Sequence, residues 1–138
     1  MTAGPLLAIG LGCDRGTPEA TVEACLREAL AQAGAQIAQV AVAASIEAKQ
    51  DEAAFLSLAA RHGWPLRWFS AAQLAAAPVP NPSATVLRYM GTPSVSEAAA
   101  LLAAGAADAS ALLVEKHRLR GPDGRNATVS IARVASPS

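Results

Sequence analysis

Three consecutive residues, Cys13-Asp14-Arg15, set a thiol, a carboxylate and a guanidinium side by side between Gly12 and Gly16. Glycines let backbone N–H groups come close to a bound anion, and the charged pair can grip the polar rim of a ligand. The ordinary alternative is a small apolar filler followed by two solvated loop charges. Further along, Glu47, Lys49 and Glu52 form a second charged set, read either as a solvated rim or as a cluster at the same sheet edge. In Gly91-Thr92-Pro93-Ser94-Val95-Ser96-Glu97, the Ser94 hydroxyl can accept from the N–H at 97 while Glu97 reaches back to the Ser94 N–H, a reciprocal capping box. The Thr92 hydroxyl and the positive helix end also suit this corner to a carboxylate or phosphate, so capping and anion binding both stand as readings. A last set, Lys116, His117, Arg118, Arg120 and Arg125, concentrates positive charge in one stretch. It is either solvated loop charge or a surface that recognises an anionic ligand.

Spacing and composition argue against several chemistries. Gly10, Gly12 and Gly16 miss the G-x-G-x-x-G dinucleotide fingerprint by one residue, and no Gly-Lys-Ser/Thr follows to make a phosphate-binding loop. Cys13 and Cys25 form neither a disulfide framework nor a metal set, and His62 has no second His or Cys spaced to share an ion. No metal and no cofactor is expected. His62 reads as structural, beside a helix stop; with His117 in a hairpin tip, no Ser-His-Asp arrangement is recognisable. Eleven basic and eleven acidic residues cancel, which argues against nucleic acid or an anionic membrane surface as the main partner. The first residues lack the basic flank and long apolar core of a secretion signal, and no apolar run approaches the length of a membrane span. A cytoplasmic location is the expectation.

Positioning the polar sets requires strands that end where the charged loops begin, since open α/β sheets place their ligands at the carboxyl ends of strands. The 138 residues suit one domain spanning 1–138, and a composition 52% hydrophobic but 4% aromatic implies a core of Ala, Val, Leu and Ile. Leu6 to Leu11 reads as a buried strand emptying into the glycine-rich loop. A helix follows with Thr17 as N-cap, Pro18 in first position, Val22, Leu26, Ala29 and Leu30 on one face, and Gly34 as stop. Gln39 to Ser45 is a second strand, and Asp51 caps a helix running to His62 with Gly63 as terminator. Leu66 to Phe69 is a short strand, after which a Ser70–Gln73 capping box opens a brief helix. Val79-Pro80-Asn81-Pro82-Ser83 is a rigid connector to a helix carrying Val86, Leu87 and Met90, capped by Asn81 or Ser83. The helix after Ser94 turns Ala98, Leu101 and Leu102 inward and stops at Gly105. Ala111 to Glu115 and Ala127 to Val134 read as hairpin strands joined by a mobile basic tip, Lys116 to Asn126, centred on Gly121-Pro122-Asp123-Gly124. The fold class is α/β: a three-layer sandwich in which a mixed sheet of about five strands carries helices on both faces and ends in a C-terminal β-hairpin.

Several stretches then add up to a resemblance. Gly10 to Thr17, Lys49 to Glu52, Phe69-Ser70-Ala71-Ala72-Gln73-Leu74, Val79 to Ser83, Gly91 to Ala98 and Asn126 to Arg133 recur in that order in the CobE/CbiG C-terminal family of cobalamin biosynthesis. The chain resembles that family over nearly its whole length, and looks most like its free-standing form. In the fused form a similar domain follows others in an enzyme that opens the lactone of a cobalt-precorrin and releases a two-carbon fragment. The resemblance implies a corrinoid or other tetrapyrrole intermediate as ligand, with another cobalamin-pathway enzyme as an alternative partner. It implies binding residues among Gly12, Cys13, Asp14, Arg15, Lys49, Asn81, Thr92, Ser94, Glu97, Lys116 and Asn126. If the chain is an enzyme, which the residues leave open, Glu47 or Glu52 is the general base for a water and Ser94 or N–H groups near it donate to an oxyanion. Two departures limit the transfer: nothing ahead of Leu6 resembles the upstream domain of the fused enzyme, and position 47 holds Glu where the fused proteins usually carry Asp.

Overall fold

Five strands form one sheet: β1 (Leu7–Cys13), β2 (Val40–Ile46), β3 (Leu66–Phe69), β4 (Leu112–Arg120) and β5 (Asn126–Arg133), in the order β3-β2-β1-β5-β4. The computed structural model describes residues 5–77 and 95–135. The expectations placed on the Pro-rich connector, the Val86 helix and the Gly91 to Ser94 corner, with Asn81, Thr92 and Ser94 among them, lie outside the described residues. β2 runs parallel to β1 and β3 parallel to β2, while β5 is antiparallel to both β1 and β4. The carboxyl ends of β1 to β4 therefore share one edge of the sheet with the start of β5.

Alternation along β1 builds both layers at once, because successive side chains point to opposite faces. Leu7, Ile9 and Leu11 pack with Ala127, Val129 and Ile131 of β5 against α1 (Glu19–Ala33) and α2 (Ala53–His62), where Val22, Leu26, Phe55 and Leu58 are fully buried. Ala8 and Ala132 face the other way, toward Ala100, Leu101 and Ala104 of α4 (Val95–Ala104). The same layer is continued by Ala44, Ile46, Phe69 and by Leu74 of α3 (Ala71–Ala75). The alanine-rich α4 lies very close to the sheet: a Cβ on Gly10 would stand 1.9 Å from the Ser96 carbonyl oxygen and 2.8 Å from the Ala100 nitrogen. Only a residue without a side chain fits beneath this helix. The three-layer arrangement and mixed sheet thus match the expectation from sequence, hairpin included.

Three local expectations are corrected. Thr17 does not cap α1; Pro18 is the N-cap, and the Thr17 hydroxyl donates to the Asp14 carbonyl at 2.6 Å instead. Asp51 does not cap α2, which follows Glu52, because its carboxylate is taken by Arg15. Most consequential, the stretch Lys116 to Arg120 is no mobile tip: β4 extends through it, and only residues 121–125 turn the chain. A register shift between Val114 and His117 explains why the strand pattern was hidden, since it interrupts the period-two alternation. The Ser70–Gln73 capping box and the stops at Gly34, Gly63 and Gly105 are present as expected.

Candidate functional site

At the carboxyl edge, Asp14 is the seam on which two sets of side chains meet. Its N–H donates to the Asn126 carbonyl at 2.9 Å, continuing the ladder between β1 and β5 by one step. Its Oδ2 accepts in return from the Asn126 backbone N–H at 2.8 Å and from Nδ2 at 3.2 Å. The backbone N–H of Asn126 is the main reason the Asp14 carboxyl lies below the usual carboxylate range.

On the β2 side of Asp14 the charges close on one another. Arg15 donates from Nη1 to Asp51 Oδ1 at 2.8 Å and from Nη2 to the Ala48 carbonyl at 3.0 Å. Glu52, with a side chain only 4% exposed, accepts at Oε2 from the Gly16 N–H at 3.0 Å. Its Oε1 faces Arg15 Nη1 at 3.3 Å and Lys49 Nζ at 4.0 Å, and Lys49 also donates to the Cys13 carbonyl at 2.6 Å. The Arg15–Asp51 bond raises the pKa of the guanidinium and lowers that of the carboxyl. This network ties the glycine-rich loop to the 3₁₀ turn Glu47–Lys49 and the start of α2. Glu52, one of the two carboxylates expected to activate a water if the chain is an enzyme, is instead buried and engaged in bracing the loop; Glu47 is exposed.

On the β5 side the arrangement is open. Gly12 of β1 is the register partner of Thr128 on β5, and Thr128 is the partner of Arg118 on β4. The next row outward is Asp14, Asn126 and Arg120. These even-numbered positions share the face on which α4 lies. Gly12 has no room for a side chain, since a Cβ would come 2.5 Å from Thr128 Oγ1, so the Thr128 hydroxyl lies directly over the β1 backbone. Beside it opens a cleft of about 320 Å³ lined by Cys13, Asp14, Arg118, Asn126 and Thr128. Burial, the largest influence, pushes the Cys13 thiol up and keeps it protonated at neutral pH. Among the described residues, no carboxylate pairs with Arg118 within 4.0 Å, although it is near enough to Asp14 to help hold that group ionised.

Toward the α4 end of the cleft, the fully buried Ser130 hydroxyl donates to the Glu115 carbonyl and lies 2.9 Å from Ser96 Oγ. It pins the irregular part of β4, where the exposed Lys116 sits, to the first turn of α4, which also contains the buried Glu97. Of the residues singled out from sequence, Cys13, Asp14 and Asn126 come together at the cleft with Gly12 beneath the Thr128 hydroxyl, whereas Arg15, Lys49 and Glu52 gather on the other side of β1. Thr128 was not singled out, and Arg118 was seen only as one of several basic tip residues. The polar alternation Asn126, Thr128, Ser130 between buried Ala127, Val129 and Ile131 was the available signal. Neither histidine lines the cleft: His117 bonds Glu28 Oε1 at 2.6 Å and Gln32 Nε2 at 2.7 Å on α1, and His62 stacks on Trp64. Among the described residues, no group of three or more His, Cys, Asp or Glu side chains is placed to hold a metal ion, and no helix is long and apolar enough to cross a membrane.

Comparison with known proteins bears on what this edge serves. Residues 7–132 match the family described as "Cobalamin synthesis G C-terminus". The chain is 36% identical over 129 residues to a cobalt-precorrin-5A hydrolase of Priestia megaterium; the match takes in 94% of this chain but 32% of the hydrolase, so the chain spans about a third of that relative. It is 40% identical over 105 residues to Protein CobE of a Sinorhizobium species, covering 75% of this chain and 68% of that protein. The crystal structure of CobE, described as a protein from the cobalamin biosynthetic pathway, superposes with a TM-score of 0.78 at 33% identity, covering 97% of this chain and 94% of that one.

Proposed function

The chain belongs to the Cobalamin synthesis G C-terminus family, a family of cobalamin biosynthesis, and from that premise we propose that it binds and hands on a corrinoid intermediate without altering it. Corrin precursors carry many carboxylates around an apolar macrocycle, and such a ligand needs donors at an accessible edge rather than a deep apolar pocket. The observation that carries this reading is the open cleft at the carboxyl edge of β1 and β4, walled by Asp14, Arg118, Asn126 and Thr128. Arg15, expected to hold a ligand carboxylate, has its guanidinium occupied by Asp51 and the Ala48 carbonyl, so the contact shifts to the β5 side.

The test is an absorbance titration of the purified protein with hydrogenobyrinic acid, run beside Asn126→Ala and followed for product. Saturable binding that weakens in the variant, with the pigment recovered unchanged, is the expected result. Absence of binding by the parent protein overturns the reading and points to a docking role on another enzyme of the pathway. The likeness to a cobalt-precorrin-5A hydrolase supports a second reading, catalysis on a precorrin; conversion of the pigment by the purified chain selects it.

A further inference from the structure

Resting on the proposed corrinoid ligand, we infer that the cleft takes one ionised carboxylate of that ligand on Arg118, with Thr128 as a second donor, and that Asp14 keeps a second carboxylate away from it. The cross-strand row Gly12, Thr128, Arg118 sets a missing side chain, a hydroxyl and a guanidinium next to one another on one face of the sheet. A guanidinium presents paired N–H groups that match both oxygens of a carboxylate, and the hydroxyl adds a donor from the side. Arg118 is exposed at the edge of the sheet and, among the described residues, is not neutralised by an ion pair within 4.0 Å. Arg15, Arg27, Arg61 and Arg125 are each paired with a carboxylate, and of the described arginines without such a pair, Arg67, Arg118, Arg120 and Arg133, it is Arg118 that lines the cleft.

Asp14 gives the site its selectivity. Its Oδ2 is occupied by the two Asn126 donors, which fixes the carboxylate as a permanent negative wall of the cleft. A ligand whose bound carboxylate is flanked by an uncharged group fits this wall, and one with a second charged group beside the first is repelled. The site therefore prefers a carboxylate with an amide or apolar neighbour over a pair of adjacent carboxylates.

The experiment is an absorbance titration with hydrogenobyrinic acid and with its fully esterified form, using the parent, Arg118→Gln, Arg118→Lys and Asp14→Asn. Arg118→Gln weakens binding of the acid about 10- to 100-fold, the size of a lost charge-assisted pair. Arg118→Lys falls between parent and Gln because charge is kept without the fork. The ester binds more weakly than the acid and equally to parent and Arg118→Gln. Asp14→Asn, which still offers Asn126 an acceptor oxygen, tightens binding of the acid about 3- to 10-fold. If the parent binds the acid and Arg118→Gln binds it equally well, the anchor is wrong while the corrinoid reading stands. Equal losses for acid and ester show a packing role and also overturn it. Weaker binding by Asp14→Asn reverses the assigned role of Asp14, and failure of the parent to bind either pigment removes both proposals together.

Discussion

On the β2 side of β1, Arg15, Lys49, Asp51 and Glu52 close into one network, whereas on the β5 side Arg118, Asn126 and Thr128 stand around a hollow. Both groups are charged, both sit at strand ends, and in the sequence they look equally suited to a ligand. The difference lies in how far each group's bonding capacity is filled from within the chain. Glu52 is buried and braces the Gly16 N–H through Oε2, while Oε1, which accepts no hydrogen bond, faces two cations, so a ligand there would have to displace internal charge partners. On the open side Asn126 is committed to Asp14, but Thr128 and Arg118 also line the cleft, and among the described residues Arg118 has no ion pair within 4.0 Å to give up. A cluster whose charges are already paired within the chain is the weaker candidate beside a cleft with an uncommitted guanidinium.

The most disruptive way to break this contrast acts through β1 itself. Gly10→Ala drives a Cβ into the backbone of α4 and must lift that helix from the sheet, lowering stability by about 3 kcal/mol in urea unfolding. Two residues along the same strand and on the same face, Gly12→Ala meets only the Thr128 hydroxyl, a side chain that can rotate, so its cost is about 1 kcal/mol. Its larger effect is on the cleft, because the new methyl displaces the Thr128 hydroxyl that lines it, so ligand affinity falls more than stability does. Equal destabilisation by the two substitutions would show that the cleft is ordinary packed core.

Glu52→Gln probes the closed side. Removing the buried charge weakens the hold on Gly16, Arg15 and Lys49 and lowers stability by about 1–2 kcal/mol. Because the network lies on the opposite side of Asp14, pigment affinity should change far less than in Arg118→Gln. A comparable loss of affinity in both variants would mean that the two sides act as one site.

How much of this was legible follows the range of the interactions involved. Apolar runs and helix-stop glycines are local, and they placed β1, β2, β3 and the ends of α1 and α2. The misplaced caps failed for a nonlocal reason: Thr17 and Asp51 are sound N-cap residues whose side chains found better partners across the fold, in the Asp14 carbonyl and Arg15. The first half of β4 was placed too, but its continuation was concealed by the irregularity at Glu115 and Lys116, beyond which His117 and Leu119 face α1 while Arg118 is left at the cleft. The cleft itself depends on two successive strand registers, Gly12 with Thr128 and Thr128 with Arg118. Neither register is written in local propensity.

The smallest expected effect is the most direct reading of the seam. Asp14 has a depressed pKa when folded, so the stability it contributes is present above the unfolded carboxylate value of about 3.9 and is lost as pH falls through the lower folded value. At pH 4 the bonds to Asn126 should still be intact, and below that the start of β5 should loosen from the end of β1. In an NMR titration the Asn126 backbone and side-chain N–H resonances should move together with a midpoint below about 3.9. A midpoint at or above that value would mean the carboxylate is not held by Asn126. The negative wall of the cleft would then be free to swing away, and with it would go the reason for expecting one carboxylate rather than two.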